Sequence, residues 1–374
     1  MKIGIMTYWW SKDNYGQVLQ CFALQKYLRN LGHDAFLIRY SPGNDYCADP
    51  GRVLVAVRQK SLTAHLLDRL RRLLSRPGRN DESREFSRFH ADNIQSSERV
   101  YHHYRELLND PPIADIYICG SDQIWNYPDR FRRHTNLVNA YFLNFGDPGI
   151  PRIACAASFG RAHLPAELID FIRPLLRKFS CISVREKSGL EICSAAGRAD
   201  ARWTVDPVVL LDTKEYTELS SRVMEGPKYI LVYLLGSTCS LPRKQIVALA
   251  QKEDLEIRYV GSQAPRKYFP ALYPTIPEWL SLVMNAEFVI TNSLHGTLFS
   301  IMYKRNFTYI PLTGLYEQTN ERVFSLLERL DSMDRIFIGN IYDNYYSLLE
   351  REGVDGCLSD VRSLAREILR RSIG

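Results

Sequence analysis

Short apolar runs without alternation constrain this chain more than any other feature. KIGIM (2–6), DAFLIRY (34–40), ADIYICG (114–120), RIACAAS (152–158) and CISVRE (181–186) each hold several apolar residues in a row. A strand with one wet face alternates apolar and polar. An uninterrupted apolar strand is buried on both sides, which means a parallel sheet covered by helices. Helical spacing separates these runs. In GQVLQCFALQKYLRNLG the apolar side is Val18, Leu19, Phe22, Ala23, Leu24, Tyr27 and Leu28, with Gly32 suited to end the helix. Residues 53–109 read as helix and loop.

DARWTVDPVVLL (200–211) closes this group, and Asp206-Pro207 marks a boundary. The pattern then restarts with KYILVYLLG (228–236), EIRYVG (256–261), EFVITN (287–292) and NFTYIPL (306–312), again separated by helical segments. At 374 residues the chain exceeds one ordinary core. The expectation is an α/β protein of two Rossmann-like domains, 1–205 and 206–350, whose parallel sheets face a cleft. A terminal helix in 351–374 would cross back to the first domain.

Charge is uneven. Residues 51–90 carry ten Arg or Lys and four Asp or Glu, equal to the whole chain's net +6. Leu62, Leu66, Leu67, Leu70, Leu73 and Leu74 recur there at helical spacing, with Arg69, Arg71, Arg72 and Arg76 between them. This is a basic amphipathic helix over 62–76, either a surface helix facing the core or a contact with an anionic membrane surface. Nothing supports nucleic-acid binding. The eight cysteines are scattered without a CxxC pair, so reduced cysteines are expected, and neither a disulfide framework nor a metal site. The chain lacks a secretory signal core and an 18-residue apolar run, and a cytoplasmic location is expected, with peripheral contact at the inner membrane face as an option.

Ligands of open parallel sheets sit beyond the carboxyl ends of the strands, so chemistry is sought in the strand-to-helix turns. The first turn ends in Asn14-Tyr15-Gly16-Gln17 at a helix start. It has neither GxGxxG nor GxxxxGK[ST], which argues against a dinucleotide and a P-loop. Asn14 is a helix cap or a polar contact to substrate. The second turn, ICGSDQIWN (118–126), offers Ser121, Asp122, Gln123 and Asn126 as planar or hydroxyl partners and Trp125 as an aromatic face, the mixture that binds a sugar. Asp122 alone could be a cap. The third places Arg185 just past a strand, where a guanidinium clamps a carboxylate or phosphate, or pairs with Glu186. The fourth, TNSLHG, places His295 where a strand hands over to a helix. That helix end attracts anions, an imidazole can give or take a proton, and Gly296 permits close approach. Lys304, Arg305 and Arg322 are further cations. Arg322 opens a helix, which is unfavourable unless an anion is near.

DNYGQVLQCFALQKYLRNLGH (13–33), DIYICGSDQIWN (115–126), ACAASFG (154–160), ISVREKSGLEI (182–192), VDPVVLL (205–211) and TNSLHGTLFSIMYKR (291–305), in this order, resemble the polysaccharide pyruvyl transferase family. The resemblance implies a GT-B-like fold and transfer of the pyruvyl group of phosphoenolpyruvate to two hydroxyls of a sugar in a polysaccharide or lipid-linked precursor. The product would be a cyclic ketal, formed without metal or cofactor. It points to His295 for proton transfer and donor handling, with Ser293, Leu294 and Gly296 beside it, and to Arg185 for the donor's anionic groups. Asp122 would be a base, and Asn14, Tyr15, Gln17, Ser121, Gln123, Trp125 and Asn126 would face the acceptor. Some members carry an arginine where this chain has Ser293, so its work would pass to Arg305, Arg322, Lys304 or backbone amides. A nucleotide-sugar glycosyltransferase of the same fold and a non-catalytic glycan-binding protein remain as alternatives.

Overall fold

A computed structural model describes residues 1–11, 13–41, 84–127, 132, 134–221, 226–236, 239–262, 269–347 and 351–374. The expected basic helix at 62–76 lies outside these residues.

Two parallel sheets organise the chain. The first contains β1 (Lys2–Met6), β2 (Asp34–Tyr40), β3 (Ser96–Tyr101), β4 (Ile116–Cys119), β5 (Arg152–Ala157), β6 (Cys181–Val184) and β7 (Arg202–Trp203), in the order β3-β2-β1-β4-β5-β6-β7. The second contains β8 (Tyr229–Leu235), β9 (Glu256–Ser262), β10 (Ala271–Leu272), β11 (Phe288–Thr291) and β12 (Asn306–Tyr309), in the order β10-β9-β8-β11-β12. Both are doubly wound, with order reversing between β1 and β4 and between β8 and β11. The apolar runs are central strands: β4 and β11 are buried at every position. Two strands escape the apolar signal. β3 (SSERVY) is an edge strand, largely uncovered, and its polar residues hid it in a region read as helix and loop. β10 is a two-residue edge. Conversely, the expected last strand of the first sheet is only Arg202–Trp203, after which Pro207–Leu210 turns as a 3-10 helix.

Helix α1 (Tyr15–Asn30) follows β1 and buries most of its length. In the second half, α2 (Ile276–Met284) precedes β11, α3 (Leu294–Met302) follows it, and α4 (Glu321–Arg329) follows β12. One hydrophobic core is continuous from β1 and α1, through α2 and α3, to the terminal helix α5 (Arg351–Ile373). Tyr15 stacks on Trp279 at 5.2 Å and 9°, meets Tyr233 edge-on at 6.0 Å, and donates its hydroxyl to the Pro274 carbonyl at 2.6 Å. Such aromatic pairs stabilise by about 0.5–1.5 kcal/mol beyond area burial.

α5 returns to the first half, as expected. Asp355, near its start, pairs with Lys304 of the second half. Further along, Arg362 Nε donates to the Val209 carbonyl at 2.9 Å and Arg366 Nη2 to Leu210 at 2.7 Å. Ala365, Ile368 and Leu369 then meet Ile153 and Cys155 of β5 around a small cavity.

Candidate functional site

The two reversal points supply the site. In the first sheet the turns after β1 and β4 are tied together. Thr7 Oγ1 donates to the Ser121 carbonyl at 3.0 Å, and Gln20 Nε2 donates to Thr7 Oγ1 at 2.9 Å. A Cβ at Gly120 would lie 2.9 Å from Thr7 Cβ, which is why a glycine ends β4. The chain then turns through Asp122 at φ 70°, a left-handed conformation that costs a non-glycine residue about 1–2 kcal/mol. The residue is 7% exposed; its carboxylate Oδ1 accepts from Gln123 N–H at 2.8 Å and Oδ2 from Gln17 Nε2 at 3.2 Å.

Arg185 enters from the end of β6. Its Nη1 donates to Asp206 Oδ2 at 2.8 Å and to Ser121 Oγ at 3.3 Å, and its Nε lies 3.4 Å from Glu186 Oε1. Asp206 caps the 3-10 turn through Val208 N–H and also accepts from Ser121 Oγ at 2.9 Å. Burial alone would lower the Arg185 guanidinium; Glu186, then Asp206 and Asp122, outweigh it and hold it above its usual value. Burial would likewise raise the Asp206 carboxyl, but His295 and then Arg185 hold it well below the carboxylate range. Arg185 Nη2 and Glu186 Oε2 are buried without a hydrogen-bond partner among the described residues. An unpaired buried donor is costly in isolation, so Nη2 is a group available to an anion.

His295 comes from the second reversal point. Asn292 clamps the end of β8, accepting from Leu235 N–H at 2.7 Å and donating to its carbonyl at 2.9 Å. Ser293 caps α3, its Oγ accepting from Gly296 N–H at 3.3 Å. This sets His295 in the first turn, 5% exposed, with Nε2 3.3 Å from Asp206 Oδ2. The other side of the ring rests on α1: a Cβ at Gly16 would lie 2.0 Å from His295 Nδ1. The imidazole is thus held between a glycine of the first half and the acid of the connection.

Arg322, in the first turn of α4, is packed among side chains yet reaches solvent in part, and its Nε donates to the Thr319 carbonyl at 3.0 Å. Burial and the neighbouring Arg185 lower its guanidinium, opposed by Asp122 and Glu186. Two like charges held near one another favour an anion between them. At the α4 start, a groove of about 530 Å³ opens between Arg161, His163 and Leu164 on one side and Glu317, Glu321 and Phe324 on the other. Among the described residues no group of three or more His, Cys, Asp or Glu side chains could hold a metal ion. No described helix is long and apolar enough to cross a membrane.

A family model described as polysaccharide pyruvyl transferase matches residues 14–312. The chain belongs to the polysaccharide pyruvyl transferase family. As a member it is a transferase of polysaccharide biosynthesis. Comparison with curated proteins gave no match. Among solved structures, the UDP-GlcNAc 2-epimerase of Methanocaldococcus jannaschii is similar at 12% identity over 100% of both chains, with a TM-score of 0.49. The UDP-N-acetylglucosamine 2-epimerase of Rickettsia bellii is similar at 10% identity over 99% of this chain and 95% of that one, with a TM-score of 0.49.

The structure brings together Gln17, Ser121, Asp122, Arg185 and His295 from the family motifs, and adds Arg322 from outside the matched residues 14–312. Others lie elsewhere or act locally. Asn14 caps α1, accepting from Gln17 N–H at 3.3 Å. Tyr15 is fully buried between the halves with its hydroxyl engaged, which removes it from an acceptor surface. Trp125 is also core: it stacks on Phe142 at 4.5 Å and donates to the Tyr141 carbonyl at 3.2 Å, so it offers no open face. Gln123 and Asn126 bond each other at 2.7 Å beside the turn, and Arg161 Nε donates to Asn126 Oδ1 at 3.1 Å. Leu294 is packed in the core. Gly296 faces Thr291, whose Oγ1 would be 2.4 Å from an added Cβ; the close approach is by the protein's own strand. Lys304 pairs with Asp355, and Arg305 lines a separate groove with Glu253, Glu287 and Tyr345. Asp206, read as a boundary and as part of VDPVVLL but given no role in the site, is a residue the sequence reasoning missed. Its acid beside proline, followed by the fully apolar VVLL, was the available signal.

Proposed function

We propose that this protein moves the pyruvyl unit of phosphoenolpyruvate onto two hydroxyls of one sugar, in a polysaccharide or its lipid-linked precursor, forming a cyclic ketal. The observation that carries the reading is the family match over 14–312 coinciding with a buried histidine, acid and arginine cluster between the two reversal points. Phosphoenolpyruvate carries a carboxylate and a phosphate, and Arg185 Nη2 with Arg322 supplies the cations to receive them. His295 delivers a proton to the methylene carbon, which leaves an oxocarbenium-like centre at C2. A positioned acid of this kind contributes about 10²–10⁴-fold. One sugar hydroxyl adds to C2 and yields its proton to Asp122, which Gln17 holds in place. The second hydroxyl displaces phosphate and closes the ring. Of the two hydroxyl protons, one balances the new methyl group and the other leaves with phosphate. The reaction is redox-neutral and calls on no cofactor.

The test is incubation with phosphoenolpyruvate and a candidate glycan precursor, followed by phosphate release and product mass. A gain of one pyruvic acid less one water supports the ketal. Untouched phosphoenolpyruvate with consumption of a nucleotide sugar, and a gain of a whole sugar residue, would sink it.

A further inference from the structure

The turn after β1 reads Thr7-Tyr8-Trp9-Trp10 and borders the crevice where strand order reverses, the place ligands occupy in doubly wound sheets. Its three aromatics are used differently. Tyr8 donates its hydroxyl to the Gln123 carbonyl at 3.3 Å and sits 3.1 Å from the Tyr127 hydroxyl, joining this turn to the one that carries Asp122. Trp9 is tied inward, Nε1 donating to the Tyr40 carbonyl at 3.0 Å. Trp10 is 43% exposed although neighbours hold it on two sides. Tyr8 meets its ring edge-on at 5.3 Å and Trp9 at 6.4 Å. A fixed indole in contact with solvent, one aromatic ring away from the strand turn bearing Asp122, is not needed by the core.

We propose that Trp10, braced by Tyr8, is the platform on which a pyranose ring of the acceptor glycan stacks its C–H face, one sugar removed from the ring whose hydroxyls meet Asp122. This rests on the acceptor assignment above and adds to it the surface that reads the glycan beyond the reacting sugar. The sugar's apolar face covers the indole, while its hydroxyls reach the planar polar groups of the 120–126 turn. Trp125, sealed in the core, cannot do this.

Saturation-transfer NMR without phosphoenolpyruvate tests the platform, using disaccharides as probes: lactose, maltose and cellobiose at millimolar concentration. The wild type and Trp10→Phe transfer saturation to ring C–H protons of at least one disaccharide. Trp10→Ala binds it about 2- to 10-fold more weakly, the worth of one aromatic contact, with an unchanged melting temperature. Equal transfer in Trp10→Ala, or no transfer in the wild type, overturns the proposal. Because this readout needs no donor, a wild type that binds disaccharide but leaves phosphoenolpyruvate intact would defeat the pyruvyl reading alone. In turnover, Trp10→Ala raises the acceptor KM more than it lowers kcat.

Discussion

Gly16 and Asp206 hold His295 from opposite sides, one by having no side chain and the other by charge. Gly16→Ala should therefore damage catalysis without removing any reacting group. Its methyl would overlap the imidazole, and an angstrom of misplacement can cost about 10²-fold. The expected outcome is a kcat about 10²-fold lower together with a loss of about 1–3 kcal/mol in stability, since the overlap with the buried ring and its Cβ outweighs alanine's better helix propensity. Asp206→Asn should cost both: a similar loss of kcat, and about 3 kcal/mol of stability in urea unfolding, because Arg185 and His295 lose the buried carboxylate they share and Glu186 alone is left to Arg185. A third residue reports pH. Burial pushes His90, near Trp9, down to about 4 from an ordinary 6.5. The unfolded ring takes its proton near the ordinary value and the folded ring only near 4, so acidification between them favours the unfolded chain. About 3 kcal/mol should be lost across that window, and His90→Gln should flatten the loss in unfolding curves at pH 7 and pH 4.5. Among these residues the sequence made His295 legible, because a histidine between TNS and an apolar helix is conspicuous. The contacts of Gly16 and Asp206 were not legible, since both reach His295 from more than 80 residues away.

At the level of elements, uninterrupted apolar strands announced themselves and edge strands did not. β1, β2 and β8 are where the sequence puts them because both faces are covered. β3 pairs on one side only, with β2, and can afford SSERVY. The terminal helix was legible: expected within 351–374, it runs Arg351–Ile373 and continues through Gly353 and Gly356, each of which costs a helix about 1 kcal/mol relative to alanine. Its apolar side binds the two halves. Leu369, 1% exposed beside β5, is the residue to test: Leu369→Ala should cost about 2–5 kcal/mol in denaturant unfolding. An unchanged midpoint would mean that α5 is an ornament on the first half and not its cover.

Across the whole molecule, one core runs through both sheets, and the stacked Tyr15–Trp279 pair stands at the junction. Calorimetry of the wild type should give one cooperative transition, and Tyr15→Ala, by opening a cavity there at a cost of about 3–5 kcal/mol, should split it in two. Sequence pattern revealed two sheets but not their union, because the residues that join them look like ordinary core in either half. The carboxylate of Asp206 has a consequence for recombination. The stretch between the sheets is the natural place to splice halves of distant relatives, yet here it contributes the acid that meets both His295 and Arg185. A hybrid joined just upstream would take its acid from one parent and the arginine that neutralises it from the other. Grafts should keep 185–206 from a single parent, and exchanging the first half means carrying that acid along with it.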